Sequence, residues 1–148
     1  DRKIYAIDAA TGKCLFNVDG GRDALCGSED GKTVFSKVMF GKAYAFRSDV
    51  PAPAGGGEIS SGNKLWEVAD SLGYDIGTSA LTEKDGVLLI PSDKGNIVAL
   101  DAATGEFLWA HKVSVALVNP LKVSSDKKRM TVLASTMDGT VTLLTIEK

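Results

Sequence analysis

His111 is the single histidine in 148 residues, and Cys14 and Cys26 are the two cysteines. An imidazole doing acid–base work needs a carboxylate or hydroxyl placed to orient it. His111 follows Trp109 on an apolar stretch with no Asp or Ser at a suggestive spacing, so it reads as a structural or exposed ring. The cysteines stand twelve residues apart, as two half-buried thiols or as a disulfide; spacing leaves that choice open. One histidine and two cysteines cannot make a Cys- or His-rich metal cluster. Asp30-Gly31, Asp85-Gly86 and Asp138-Gly139 lack the alternating acidic spacing and distal Glu of a calcium loop, and read as turns. Gly55-Gly56-Gly57 is followed by neither a helix nor Gly-Lys-Ser/Thr, so it is no phosphate cradle. The expectation is a chain without catalytic residues, metal or cofactor of its own.

Charge narrows the partners. Seventeen basic and nineteen acidic side chains give a formal charge of −2, without the basic stripe that nucleic-acid binding requires. With 44% hydrophobic residues the chain must fold around a core, yet no apolar run reaches the ~18 residues of a membrane span. Asp1-Arg2-Lys3 leads directly into Ile4-Tyr5-Ala6-Ile7, unlike a secretory leader, and residue 1 is expected to be a processed or truncated boundary.

What positions these residues is a repeat. Residues 4–16 read Ile-Tyr-Ala-Ile-Asp-Ala-Ala-Thr-Gly-Lys-Cys-Leu-Phe, and residues 97–109 read Ile-Val-Ala-Leu-Asp-Ala-Ala-Thr-Gly-Glu-Phe-Leu-Trp; nine of the thirteen positions are identical or conservatively apolar. A third copy is split between Ala43 to Asp49 and Gly62 to Trp66, and a fourth keeps its opening strand from Thr140 to Leu143. The starts at 4, 43, 97 and 140 are spaced by 39, 54 and 43 residues, the long one holding a Pro- and Gly-rich insert at 50–61. A period of ~40–45 residues belongs to propeller blades or helical pairs. Helical pairs fail, because no 3.6-residue apolar period exists and turn residues cut every repeat. Val87-Leu88-Leu89-Ile90 and Ile97-Val98-Ala99-Leu100 are apolar on both strand faces, as in a sheet packed between two other sheets. The fold class is therefore all-β: a propeller of four-stranded antiparallel blades, about three and a half of them present. Two outer strands of one blade occupy 4–18. A blade at 24–68, a second at 76–112 and an incomplete one at 116–146 follow.

The segments Ala6 to Phe16 and Ala99 to Trp109 resemble the tryptophan-docking motif of PQQ-like (quinoprotein-type) β-propeller repeats, Ala-x-Asp-x-x-Thr-Gly-Lys-x-x-Trp. The matching positions are Ala6, Asp8, Thr11, Gly12 and Phe16 in one copy and Ala99, Asp101, Thr104, Gly105 and Trp109 in the other, with Trp66 closing the split copy. Glu106 stands where the motif has Lys, and Phe16 where it has Trp. In physical terms, the Asp carboxylate accepts turn amides, Gly takes the φ > 0 position, and the aromatic ring fills the space between blades. The resemblance implies a ring with more blades than this chain holds, the rest coming from upstream residues or from a second chain, two copies forming a closed pair being one form of that. It also implies a bacterial extracytoplasmic location, periplasmic or otherwise in the envelope. Cofactor sites in that family use a vicinal disulfide, which Cys14 and Cys26 cannot form, so PQQ binding is not expected.

By the strand count, connections from one blade into the next share a face with each blade's second-to-third-strand turn. That face receives Arg22, Asp23, Tyr74, Asp75, Asp93, Lys94, Asn119 and Asp138, of which Arg22, Tyr74 and Asn119 suit specific recognition. The sequence thus points to a non-catalytic binding or scaffold module whose loop face holds a protein, peptide or ligand. The alternatives are an accessory propeller of an extracytoplasmic hydrolase or phosphoesterase, or part of a quinoprotein dehydrogenase.

Overall fold

The computed structural model describes residues 3–19, 23–49, 54–55 and 63–148; Arg22 and most of the 50–61 insert lie outside them. Short runs of Val, Ile, Leu, Thr and aromatic residues between turn residues form thirteen strands among the described residues. They are β1 (Lys3–Ile7), β2 (Cys14–Asp19), β3 (Ala24–Gly27), β4 (Thr33–Val38), β5 (Lys42–Arg47), β6 (Lys64–Ala69), β7 (Thr82–Lys84), β8 (Val87–Pro91), β9 (Asn96–Asp101), β10 (Phe107–Lys112), β11 (Lys122–Ser125), β12 (Arg129–Ser135) and β13 (Val141–Glu147). All pairings are antiparallel between chain neighbours, giving sheets β1-β2, β3-β4-β5-β6, β7-β8-β9-β10 and β11-β12-β13. This is a partial propeller.

The sheets stack in chain order, each seam filled from both sides. Phe16 and Val18 meet Phe46 between the first and second sheets. Phe35, Ala43, Ala45 and Trp66 meet Leu88, Ile90, Val98 and Leu100 between the second and third. Leu89, Ile97 and Ala99 meet Met130, Val132 and Ala134 between the third and fourth. Leu88, Leu89, Ile90, Ile97 and Leu100 are fully buried, which accounts for strands apolar on both faces. The first strands of adjacent sheets touch, β3 against β7 and β7 against β11, so these are the inner strands. At the two ends of the stack, Tyr5 and Ile7 on one outer face and Leu133, Val141 and Leu143 on the other remain exposed.

Antiparallel order puts turns at two opposite ends of the strands. One end carries the β4–β5, β8–β9 and β12–β13 turns and the described sheet-to-sheet connections, β6–β7 and β10–β11. The opposite end carries the β1–β2, β3–β4, β7–β8, β9–β10 and β11–β12 turns. Among the described residues no helix is long and apolar enough to cross a membrane.

Candidate functional site

The opposite end holds the repeated Asp-to-Gly turn. Asp101 Oδ1 accepts the amides of Ala103 (2.9 Å) and Thr104 (2.8 Å) and the Thr104 hydroxyl (2.9 Å). Asp8 Oδ1 likewise accepts the amides of Ala10 (2.9 Å) and Thr11 (2.8 Å). The turn amides and the Thr hydroxyl hold both carboxyls below the usual carboxylate range. Gly105 sits at φ +76°, and a Cβ there would fall 2.9 Å from Cδ2 of Trp66 and from Cγ1 of Val68. Trp66, from the preceding sheet, covers this glycine and donates its indole N–H to the Ala102 carbonyl at 3.1 Å. Phe16 is buried in the first seam. Trp109 is half-buried beside a groove of about 530 Å³ shared with Val87, Met130 and Ile146. These residues position blades, and none of them is on the loop face.

The loop face is built differently. Lys37, fully buried in β4, donates from Nζ to Asp75 Oδ1 at 2.6 Å. The Asp75 carboxylate also accepts the Gly77 amide on Oδ1 (3.0 Å) and the Asp93 amide on Oδ2 (3.0 Å). Burial pushes the Asp75 carboxyl up, but the Lys37 ammonium and these donors leave it below the ordinary range. Asp93 is pushed up by burial and by Asp75 beside it. Asp70, buried with one carboxylate oxygen lacking a hydrogen-bond partner, is also pushed up by burial. Asp75 is 1% exposed, so it cannot contact a partner as its place in the sequence suggested. Its position in the connecting loop is solvent-facing by composition, and the buried Lys37 together with the Gly77 and Asp93 amides holds it inward.

The remaining loop-face residues lie close to the surface. Asp23 Oδ2 accepts the Met39 amide at 2.8 Å, fixing the β4–β5 turn. Lys94 Nζ donates to the Tyr74 carbonyl, joining the β8–β9 turn to the β6–β7 connection. Asn119 Nδ2 donates to Ser135 Oγ at 3.1 Å. Asp138 accepts from the hydroxyls of Ser114 and Thr136 and from the Thr140 amide, which hold its carboxyl far below the usual range.

Sequence reasoning placed Tyr74 here but missed the apolar side chains that share the face, Phe40, Ile76, Val115 and Met137. Phe40 packs its ring against Tyr74, centroids 6.1 Å apart and planes at 58°. Phe40 (65%), Tyr74 (60%), Ile76 (54%), Val115 (78%) and Met137 (72%) are the large apolar side chains more than half exposed outside strands among the described residues. All five are at this end of the propeller. The overlooked signal was an aromatic directly before a turn glycine, Phe40-Gly41, where turns are ordinarily polar.

The family model described as outer membrane protein assembly factor BamB matches residues 56–148. The chain belongs to this PQQ-like repeat family. A polyvinylalcohol dehydrogenase from Sphingopyxis sp. (strain 113P3) is 27% identical over 86% of this chain, which spans 22% of that relative's length. The fold is shared with the computationally designed Ika4 protein (TM-score 0.73, 23% identity, 99% of this chain and 81% of that one). It is shared also with BamB from Moraxella catarrhalis (TM-score 0.62, 17% identity, 96% and 46%). Saccharomyces cerevisiae Sqt1 has it too (TM-score 0.74, 10% identity, 99% and 39%).

Membership in the PQQ-like family raises the question of the cofactor that gives it its name. The residues described do not fit it. Cys14 and Cys26 are free thiols on different sheets, Trp66 and Trp109 lie in blade seams, and no group of three metal-ligating side chains occurs among the described residues.

Proposed function

We propose that this propeller segment is a non-catalytic binding module that holds a protein or peptide on its loop face. One observation carries the reading: every large apolar side chain exposed outside a strand, among the described residues, is at that end, while the opposite turns are polar. Apolar and aromatic groups on a rigid polar frame are what protein-binding surfaces concentrate. The family's description as an assembly factor supports a protein partner and an extracytoplasmic location. Further blades, from the same polypeptide or another chain, would cover the exposed outer faces at Tyr5 and Ile7 and at Leu133, Val141 and Leu143.

The test is a photo-crosslinking amino acid placed in the whole protein in cells. It would stand in place of Asn119 at the loop face and of Lys128 at the opposite end. A protein adduct formed from position 119 and absent from position 128 is expected. Adducts from position 128 alone would overturn the reading.

A second reading is favoured by the dehydrogenase match: the segment is one part of a larger enzyme's propeller. Titration of the whole protein with PQQ, followed by absorbance, separates the two. A saturable spectral change supports the second reading, and its absence the first.

A further inference from the structure

We propose that the Phe40–Tyr74 ring pair anchors an extended, cationic polypeptide segment, with an aliphatic side chain of the partner on the rings and an arginine or lysine of the partner reaching Asp138. This rests on the loop-face reading and names the chemistry of its partner.

The rings are held before any partner arrives. A Cβ on Gly41 would lie 2.8 Å from the Gly73 carbonyl oxygen, so the Phe40 turn and the Tyr74 connection touch backbone to backbone. The Asp75 amide donates to the Met39 carbonyl (2.9 Å), and the Asp70 amide to the Gly41 carbonyl (2.9 Å). Beneath them the buried Lys37–Asp75 ion pair fixes the residue next to Tyr74. Two exposed aromatics on a frame already ordered lose little conformational entropy on binding, the condition under which a few side chains dominate an interface.

Charge selects the partner's sign. Leaving aside the Lys37–Asp75 pair and the buried Asp70, the described residues of the turns and connections on this rim carry three carboxyls, Asp23, Asp93 and Asp138, against Lys94. The Lys94 ammonium is already engaged by the Tyr74 carbonyl. Asp138 is at the surface, held by hydroxyl and amide donors that favour its ionised form. A cationic segment is therefore steered to the face, and an acidic one is repelled.

Spacing makes the proposal sharper. Phe40 and Asp138 each precede the left-handed glycine of the β4–β5 and β12–β13 turns, so they hold corresponding positions two sheets apart. Stacked sheets are about 10 Å apart, so the two positions are separated by about 20 Å. An extended chain covers that in about six residues. Val115 and Met137 flank the far end and offer it further apolar contact.

Three fluorescein-labelled peptides test this by anisotropy with the whole protein. One carries leucine and arginine six positions apart in a serine–glycine background. The second has glutamate for the arginine, and the third has serine for the leucine. The first should bind at least tenfold tighter than either other. The double variant Phe40→Ser, Tyr74→Ser should lose tenfold or more, and Asp138→Asn should erase the preference for arginine while keeping that for leucine. Should the serine variant fold poorly by its melting curve, Phe40→Lys, which keeps an aliphatic stem beside Tyr74 and adds positive charge, should show the same loss. Equal binding of the leucine and serine peptides, or of the arginine and glutamate peptides, overturns the proposal. Crosslinking from position 119 separates this failure from a broader one. Adducts that persist undiminished in the double variant refute the ring anchor alone, whereas none in the unmodified protein refutes the loop-face reading itself.

Discussion

Replacing Trp66 by alanine removes the side chain that spans the seam between the second and third sheets. The indole is 9% exposed, packs on Phe35 with ring centroids 5.9 Å apart, and donates to the Ala102 carbonyl. A buried aromatic truncated to alanine costs about 3–5 kcal/mol, because both the transfer energy and the cavity contribute. At about 0.3 kcal/mol per degree for a chain of this size, the melting temperature should fall by roughly 10–15 °C. Trp66→Phe keeps much of the ring area and loses the N–H donor, leaving a carbonyl unsatisfied, for a cost of about 1–2 kcal/mol. Gly105→Ala attacks the same contact from the other blade by placing a methyl 2.9 Å from the indole at φ +76°, and should cost about 1–3 kcal/mol. Trp109→Ala should cost less than Trp66→Ala, since Trp109 is only half-buried and faces an open groove. Thermal and urea melts followed by far-ultraviolet circular dichroism give all four values without relying on tryptophan emission. A Trp66→Ala protein within 1 kcal/mol of the unmodified one would refute this account of the seam.

Three further outcomes follow from buried groups. Lys37→Met leaves the Asp75 carboxylate buried without its cation and should cost about 3–5 kcal/mol in urea melts, and adding Asp75→Asn should recover much of that loss. Burial raises the folded-state value of Asp70, so the folded chain keeps a proton that the unfolded chain has released. Stability should therefore fall as pH rises from about 4, the ordinary carboxylate value, through that raised value, and Asp70→Asn should flatten this part of a urea-midpoint profile. Burial also pushes the Cys26 thiol up to about 12, while Cys14 is exposed. Iodoacetamide at pH 8 should add one label per folded chain, on Cys14, and two after denaturation, as counted by mass spectrometry.

The seams were readable because they are made by local, repeated chemistry. Asp101 to Gly105 specifies its own turn through contacts no more than a few residues apart, so five residues announce the geometry wherever they recur. The split copy was harder. Trp66 was recognisable, but its contact is with Gly105, thirty-nine residues later, and nothing within its own blade states that. The loop face was legible as a place and less so as a surface. Chain order alone put Tyr74, Lys94 and Asp138 at one end of the strands. Their roles depend on pairs distant in sequence: Lys37 with Asp75, Phe40 with Tyr74, Ser114 with Asp138. Lys37 alternates with Phe35 on a buried strand face, which marks it as a lysine needing a buried partner, though not which one. Phe40 drew no reading from the sequence, because the ring that gives it a role, Tyr74, is thirty-four residues away.

Hydrogen–deuterium exchange on the whole protein, with and without the partner recovered by crosslinking, tests the loop-face claim most directly. New protection is expected at residues 39–41, 71–77, 92–95, 114–119 and 136–140. Protection confined instead to residues 8–13, 28–32, 85–86, 102–106 and 126–128 would put the partner at the other end of the propeller and contradict the account.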